Sequence, residues 1–182
     1  MVIVLILVLV AVAITFVAAF FYVSRIISLP PKGRAVDNLN NKLEKNQRII
    51  ACIGDSLTHG NIGQSWVDYL RNEFPNDVFL NEGINGNTAW QVIQRLDPIL
   101  ACKPDIVVLM IGSNDAMGSF DVNSGLRYQR NNNLPEAPSF EKYKEQLTDL
   151  AQKCISKAKS FGATDIEVSV SNSISDTINY RN

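Results

Sequence analysis

Histidine is almost missing from this chain: its 182 residues carry one, His59, together with three cysteines. No cysteine or histidine stands at metal-ligand spacing, which removes a zinc module from consideration. An odd cysteine count agrees with a domain on the cytosolic side of a membrane. Cys52 and Cys154 fall inside apolar patterns and read as small core residues, whereas Cys102, beside Lys103-Pro104, reads as partly exposed. There is no excess of charge of either sign, with 17 basic against 18 acidic side chains and a formal net charge of -1. No basic stripe interleaves with aromatics, so nothing here reads as a nucleic-acid binder. Neither a G-x-G-x-x-G nor a P-loop occurs, which disfavours a nucleotide-binding module. Asn-x-Ser/Thr sequons and internal repeats are absent as well.

Charge is also missing from one long stretch. Val2 to Val23 is apolar apart from Thr15 and the Tyr22 hydroxyl. As a helix this run spans about 33 Å, enough for a bilayer core of about 30 Å. No Lys or Arg precedes it, and Ala18-Ala19 runs on into Phe20-Phe21-Tyr22 instead of a small-residue cleavage site, so an uncleaved anchor is expected in preference to a signal peptide. Uniform hydrophobicity on every face speaks against a buried helix of a soluble protein. Arg25, Lys32, Arg34 and Lys42 follow the run and no side-chain cation precedes it, which by the positive-inside rule predicts a cytosolic domain. The expected organisation is an anchor over 1–28, a polar linker over 29–46 containing Pro30-Pro31-Lys32-Gly33 and Asp37 to Lys45, and a single domain over 47–182.

Within that domain, three apolar runs each end in a polar, Gly-bearing loop. Arg48 to Ile53 leads into Gly54-Asp55-Ser56-Leu57-Thr58-His59, Val78 to Leu80 into Asn81-Glu82-Gly83-Ile84-Asn85-Gly86-Asn87-Thr88, and Ile106 to Met110 into Ile111-Gly112-Ser113-Asn114-Asp115. Right-handed crossovers bring the carboxyl ends of such parallel strands to one sheet edge, where open α/β sheets hold ligands. Helix signals lie between the runs. Ser65 opens a segment with Trp66, Val67, Leu70 and Phe74 at helical spacing, and Thr88-Ala89-Trp90-Gln91 is a capping-box pattern before a helix running towards Leu100. Ser139 to Phe161 reads as one long helix stopped by Gly162, followed by a fourth strand over Ile166 to Val170. Ala116 to Pro138 is predicted to be a long polar loop suited to a lid or a substrate-selecting wall, with Arg127, Tyr128 and Arg130 solvated. Trp66 and Trp90 are expected to be packing residues. The predicted architecture is a doubly wound parallel sheet with helices on both faces.

The Gly-Asp-Ser-Leu-Thr block, Gly86 in Asn-Gly-Asn-Thr, and Gly112-Ser113-Asn114-Asp115 together resemble the SGNH (GDSL-type) esterases over roughly Arg48 to Val170. The resemblance implies a flavodoxin-like three-layer α/β/α fold. It also implies Ser56 as nucleophile, and as oxyanion donors the N–H groups of Ser56 and Gly86 and the Asn114 amide, with Asp55, His59 and Asp115 in support. No metal or organic cofactor is implied. Each residue has a plainer reading too: Asp55 and Ser56 as helix caps, Gly86 as a turn glycine, Asn114 as an Asx turn. A glycine at 86 is expected because close backbone approach would leave no room for a Cβ.

The family's closing Asp-x-x-His block, which supplies the general base, is not in this sequence. Asp176 has no histidine after it, and His59 lies three residues beyond Ser56, where it is expected to line a turn or pocket wall rather than act as base. Two readings follow. The expected one is a shortened form of a membrane-anchored ester hydrolase, incomplete at its C-terminus, acting on an acyl ester, thioester or lipid-like small molecule. The alternative is a non-catalytic pseudoenzyme or binding module using the same pocket. Oligomeric state is not legible.

Overall fold

A computed structural model of the chain describes residues 1–38, 47–61 and 63–164. Helix α1 (Val2–Ser28) is followed by the single turn α2 (Ala35–Asn38), then β1 (Ile49–Gly54), α3 (Ser56–His59), α4 (Trp66–Glu73) and β2 (Val78–Gly83). Next come α5 (Ala89–Gln94), α6 (Leu96–Ala101), β3 (Ile106–Met110), α7 (Ser113–Gly118), α8 (Val122–Asn132) and α9 (Phe140–Ser160). The strands form a parallel sheet in the order β2-β1-β3, with Gly54 level with Gly83 on one side and Met110 on the other. Crossovers through helices therefore deliver all three strand ends to one edge, as the sequence predicts.

Side chains alternate along a strand, and β1 shows what that does in a central position. Ile49, Ala51 and Ile53 pack with Ala89, Val92, Leu96, Ile99 and Leu150 of α5, α6 and α9. Ile50 and Cys52 pack on the opposite face with Val67 of α4 and with Phe79. Both faces of β1 are thus covered, and the layers are helix, sheet, helix. Burial pushes the Cys52 thiol up to about 12 and also raises Cys102 and Cys154, so all three thiols are suppressed.

The caps follow the sequence closely. Ser65 Oγ accepts from Asp68 N, Ser139 Oγ from Lys142 N, and Gln91 Oε1 from Thr88 N. Gly162 ends α9 with φ +91°. Two expectations fail. The predicted loop over Ala116 to Pro138 is mostly helical, forming α7 and α8, with Asp121 Oδ1 capping α8 through Ser124 N. The helix expected from Ala89 towards Leu100 breaks at Arg95. Pro98 accounts for this, because it has no N–H to donate; restarting at Leu96 puts it in a first turn, where no donor is required. The fourth strand predicted over Ile166 to Val170, and Asp176, lie outside the described residues.

No residue of α1 is buried. Its end is nevertheless tied down: Asn61 Nδ2 donates to Ile26 O and Ile27 O at 3.4 and 3.0 Å, and Asn85 Nδ2 to Ile27 O at 2.9 Å. Beyond it, residues 33–35 lie along β2, with Asn81 N donating to Gly33 O and Ala35 N to Glu82 Oε1.

Candidate active site

Asp55 follows β1 and is the N-cap of the short turn α3. Its Oδ1 accepts from Leu57 N at 3.0 Å, so the capping role falls to Asp55. Ser56, the first residue of α3, is left exposed, and its hydroxyl makes no hydrogen bond among the described residues. Its backbone N–H, at a helix start, is likewise unspent among those residues.

The third loop closes on the first two through Asn114. Its Nδ2 donates to Asn87 O at 3.0 Å and to Asp55 Oδ2 at 3.3 Å, while its Oδ1 accepts from Tyr128 at 3.3 Å. One amide thus touches the neighbours in sequence of both Ser56 and Gly86. The Asx-turn reading of Asn114 is thereby set aside, since its side chain reaches across to two other loops. Ser113 Oγ donates to the same Asp55 oxygen in a very short bond. Asp115 is buried and accepts from Ala89 N at 3.1 Å, which fixes the start of α5; burial raises its carboxyl above the usual range, and the nearby Asp55 adds to the rise. Tyr143, from α9, donates to Ile111 O at 3.0 Å and lies over Gly112, whose φ of +124° and lack of a side chain both suit that contact.

Gly86 adopts φ +77°, and a Cβ there would meet only Asn132 Oδ1, at 3.7 Å. The expectation that crowding demands glycine is therefore corrected: among the described residues the requirement is conformational, a left-handed backbone that L side chains rarely adopt. The Gly86 N–H donates to nothing described. His59 is buried, and its Nδ1 lies 2.9 Å from Asn85 Oδ1. Because that oxygen only accepts, Nδ1 carries the proton. No hydrogen bond joins the ring to Ser56.

Sequence reasoning missed the group that ties the strand ends together. Arg95, placed where α5 breaks, donates through Nη2 to Gly54 O and Glu82 O at 3.0 and 2.9 Å and through Nε to Asn87 Oδ1 at 2.9 Å. Its Nη1 lies 3.5 Å from Glu82 Oε2, which also pairs with Arg34. Burial pulls the Arg95 guanidinium down to about 10, still charged at neutral pH. The one signal available was Pro98, three residues after the helix break at Arg95. A separate crevice lined by Trp90, Leu134, Pro138 and Tyr143 holds none of Ser56, Gly86 and Asn114. Among the described residues no cluster of His, Cys, Asp and Glu is suited to a metal ion.

A central parallel strand followed by an exposed serine, with the Asn114 amide joining its loop to the two other strand-end loops, defines an α/β protein with a candidate site at one sheet edge. Residues 52–176 match the model of the GDSL-like Lipase/Acylhydrolase family, and the chain belongs to that family. Among solved structures it is similar to a catalytic mutant of an acetylxylan esterase from Geobacillus stearothermophilus, at 24% identity and a TM-score of 0.50, covering 62% of this chain and 56% of that one. It is also similar to a GDSL-like lipase from Bacteroides thetaiotaomicron, at 17% identity and a TM-score of 0.49, covering 68% and 52%. These likenesses concern the fold. The chain spans about half the length of the solved structures it matches. No curated protein matches it.

Proposed function

We propose that the chain is a membrane-anchored serine ester hydrolase of SGNH type, working through an acyl-enzyme on an acyl ester or thioester. The observation that carries this reading is the Asn114 amide, which spans the serine loop and the Gly86 loop. Ser56 Oγ attacks the carbonyl carbon and loses its proton to a base, while the carbonyl electrons move onto oxygen. That oxyanion faces the N–H groups of Ser56 and Gly86 and the Asn114 amide, which shifts a donor from Asp55 Oδ2 to the developing charge. Collapse expels the alcohol or thiol, and water then cleaves the acyl-serine. The scheme requires no metal or organic cofactor. Asp55 and Asp115 hold loops; they do not touch the reacting atoms.

The base is the open part of the scheme. The resemblance assigns it to a histidine of an Asp-x-x-His block, and the one histidine of this sequence, His59, makes no hydrogen bond to Ser56. This supports a second reading, in which the pocket binds an ester or a protein partner without turning it over. Fluorophosphonate labelling of the full chain in detergent micelles separates the two. Labelling that is lost in Ser56→Ala and slowed about 100-fold in Asn114→Ala is expected for the hydrolase. Absence of labelling in the parent chain favours the binding module.

The anchor assignment rests on α1, long and apolar enough to cross a membrane. A helix of this kind near an N-terminus is also compatible with a signal sequence; the bulky residues after Ala19 support the uncleaved form. The cations that follow α1 support a cytosolic domain.

A further inference from the structure

We propose that α1 and the loops around Ser56 form one hydrogen-bonded corner that seats the mouth of the site on the bilayer surface, so that its substrate is an amphiphile entering from the membrane. This rests on the reading of α1 as an anchor and of Ser56 as the reactive centre.

The last turn of any helix leaves carbonyls without intrahelical donors. In α1 the Ile26 carbonyl takes the Leu29 N–H and a longer contact from Asn61, and the Ile27 carbonyl is capped by side chains from two site loops. Asn61 comes one residue after the Gly60 that ends α3, the turn that Ser56 begins. Asn85 precedes Gly86 directly, and the same side chain whose Nδ2 holds Ile27 O has its Oδ1 on the His59 ring. The helix end is thus joined to two of the three site loops by side chains adjacent to the proposed chemistry. Arg25, exposed in the last turn of α1, marks the level at which a cation leaves the hydrocarbon for the headgroups.

The rim agrees with such a seat. Leu57, beside the serine, is 59% exposed, and Met117, whose sulfur accepts from the Tyr128 hydroxyl that also reaches Asn114, is 61% exposed. At the other end of the strands, the Arg48–Asp77 pair and the Asp105 carboxylate on Ile49 N make a polar edge. Six residues of β1 separate the two edges by about 20 Å. The apolar rim therefore lies on the anchored edge, and the charged pair lies away from it.

The test uses the full chain in phosphatidylcholine vesicles, with Cys102→Ser and Cys154→Ser leaving the buried Cys52 as the one native thiol. An environment-sensitive fluorophore is attached at Leu57→Cys or, on the polar edge, at Asn76→Cys, and spin-labelled lipids serve as quenchers. Quenching several-fold stronger at 57 than at 76 is expected, with the difference reduced in Asn61→Ala and in Asn85→Ala, either of which suffices if the other fails to fold. Equal quenching at the two sites overturns the proposal, as does a difference untouched by both substitutions or removal of α1 from the mature chain, read by intact mass. Quenching needs no reactive serine. Failure of fluorophosphonate labelling therefore sinks the hydrolase reading and with it the substrate named here, leaving the seating of the rim to be decided by quenching, while a labelled serine with an unquenched rim sinks this proposal alone.

Discussion

Arg95 shows how much of the arrangement of strand-end loops can rest on one side chain. Its fork joins the carbonyl ends of β1 and β2 to the Asn87 side chain, and its charge faces the buried Glu82. Removing one partner of a buried pair leaves the other charge unsolvated, typically at a cost of about 3 to 5 kcal/mol. Arg95→Ala is therefore expected to destabilise the domain by about that amount, measured by denaturant unfolding in micelles; Arg34 remains beside Glu82 and sets the lower end of the range. Arg95→Lys keeps the charge but lacks the planar fork, so it is expected to recover only part of the loss. An unchanged midpoint in Arg95→Ala would show that the network is not holding the strand ends. Ser56, Gly86 and Asn114 were legible because each sits at a fixed place after an apolar run. Arg95 was not, because its partners are set by where a helix happens to break, and no spacing rule connects residue 95 with 54, 82 and 87.

At the scale of elements, legibility follows burial. Strands β1 and β2 and the long helix α9 bury an apolar face, so their periodicity is written in the sequence. Helix α8 does not: Val122 and Leu126 are exposed, and Gly125 is its one buried residue. A helix held by its Asp121 cap and by contacts of Tyr128 leaves little hydrophobic pattern to read, and the segment looked like a loop. The packing of α3 on β2 gives a sharper case. A Cβ on Gly83 would overlap the backbone nitrogen and Cα of His59, atoms that cannot rotate away. Gly83→Ala must therefore push α3 off the strand end and carry Ser56 with it. Overpacking of this kind costs about 1 to 3 kcal/mol, with backbone neighbours towards the upper end. The expected result is a lowered denaturation midpoint together with loss of fluorophosphonate labelling. Gly86→Ala is the informative contrast, since it meets positive φ but no close neighbour and should act on the loop without displacing α3.

For the whole molecule, the deciding feature is a long helix with no protein around it. Its side chains are exposed along its length, a state untenable in water for a run of Val, Leu, Ile and Phe, and favourable in hydrocarbon. The helix itself was legible, because an uninterrupted apolar run is written in the sequence; what the sequence did not disclose was the corner made by Asn61 and Asn85, two polar loop residues with no pattern of their own. An intact anchor predicts that the chain stays in the membrane pellet after alkaline carbonate and is released by detergent. If α1 is the anchor, the cations Arg25, Lys32 and Arg34 that follow it place the expected domain on the cytosolic side. Phe74→Thr provides the measurement, since it completes an acceptor sequon at the exposed Asn72 in a chain that otherwise has none. Phe74 is itself half exposed at the end of α4, so the substitution removes little packing. Translated into microsomes, this variant should remain unglycosylated and its domain open to added protease. A glycosylated, protected product would place Ser56 in the lumen, and the cations after α1 would then not be what sets the topology.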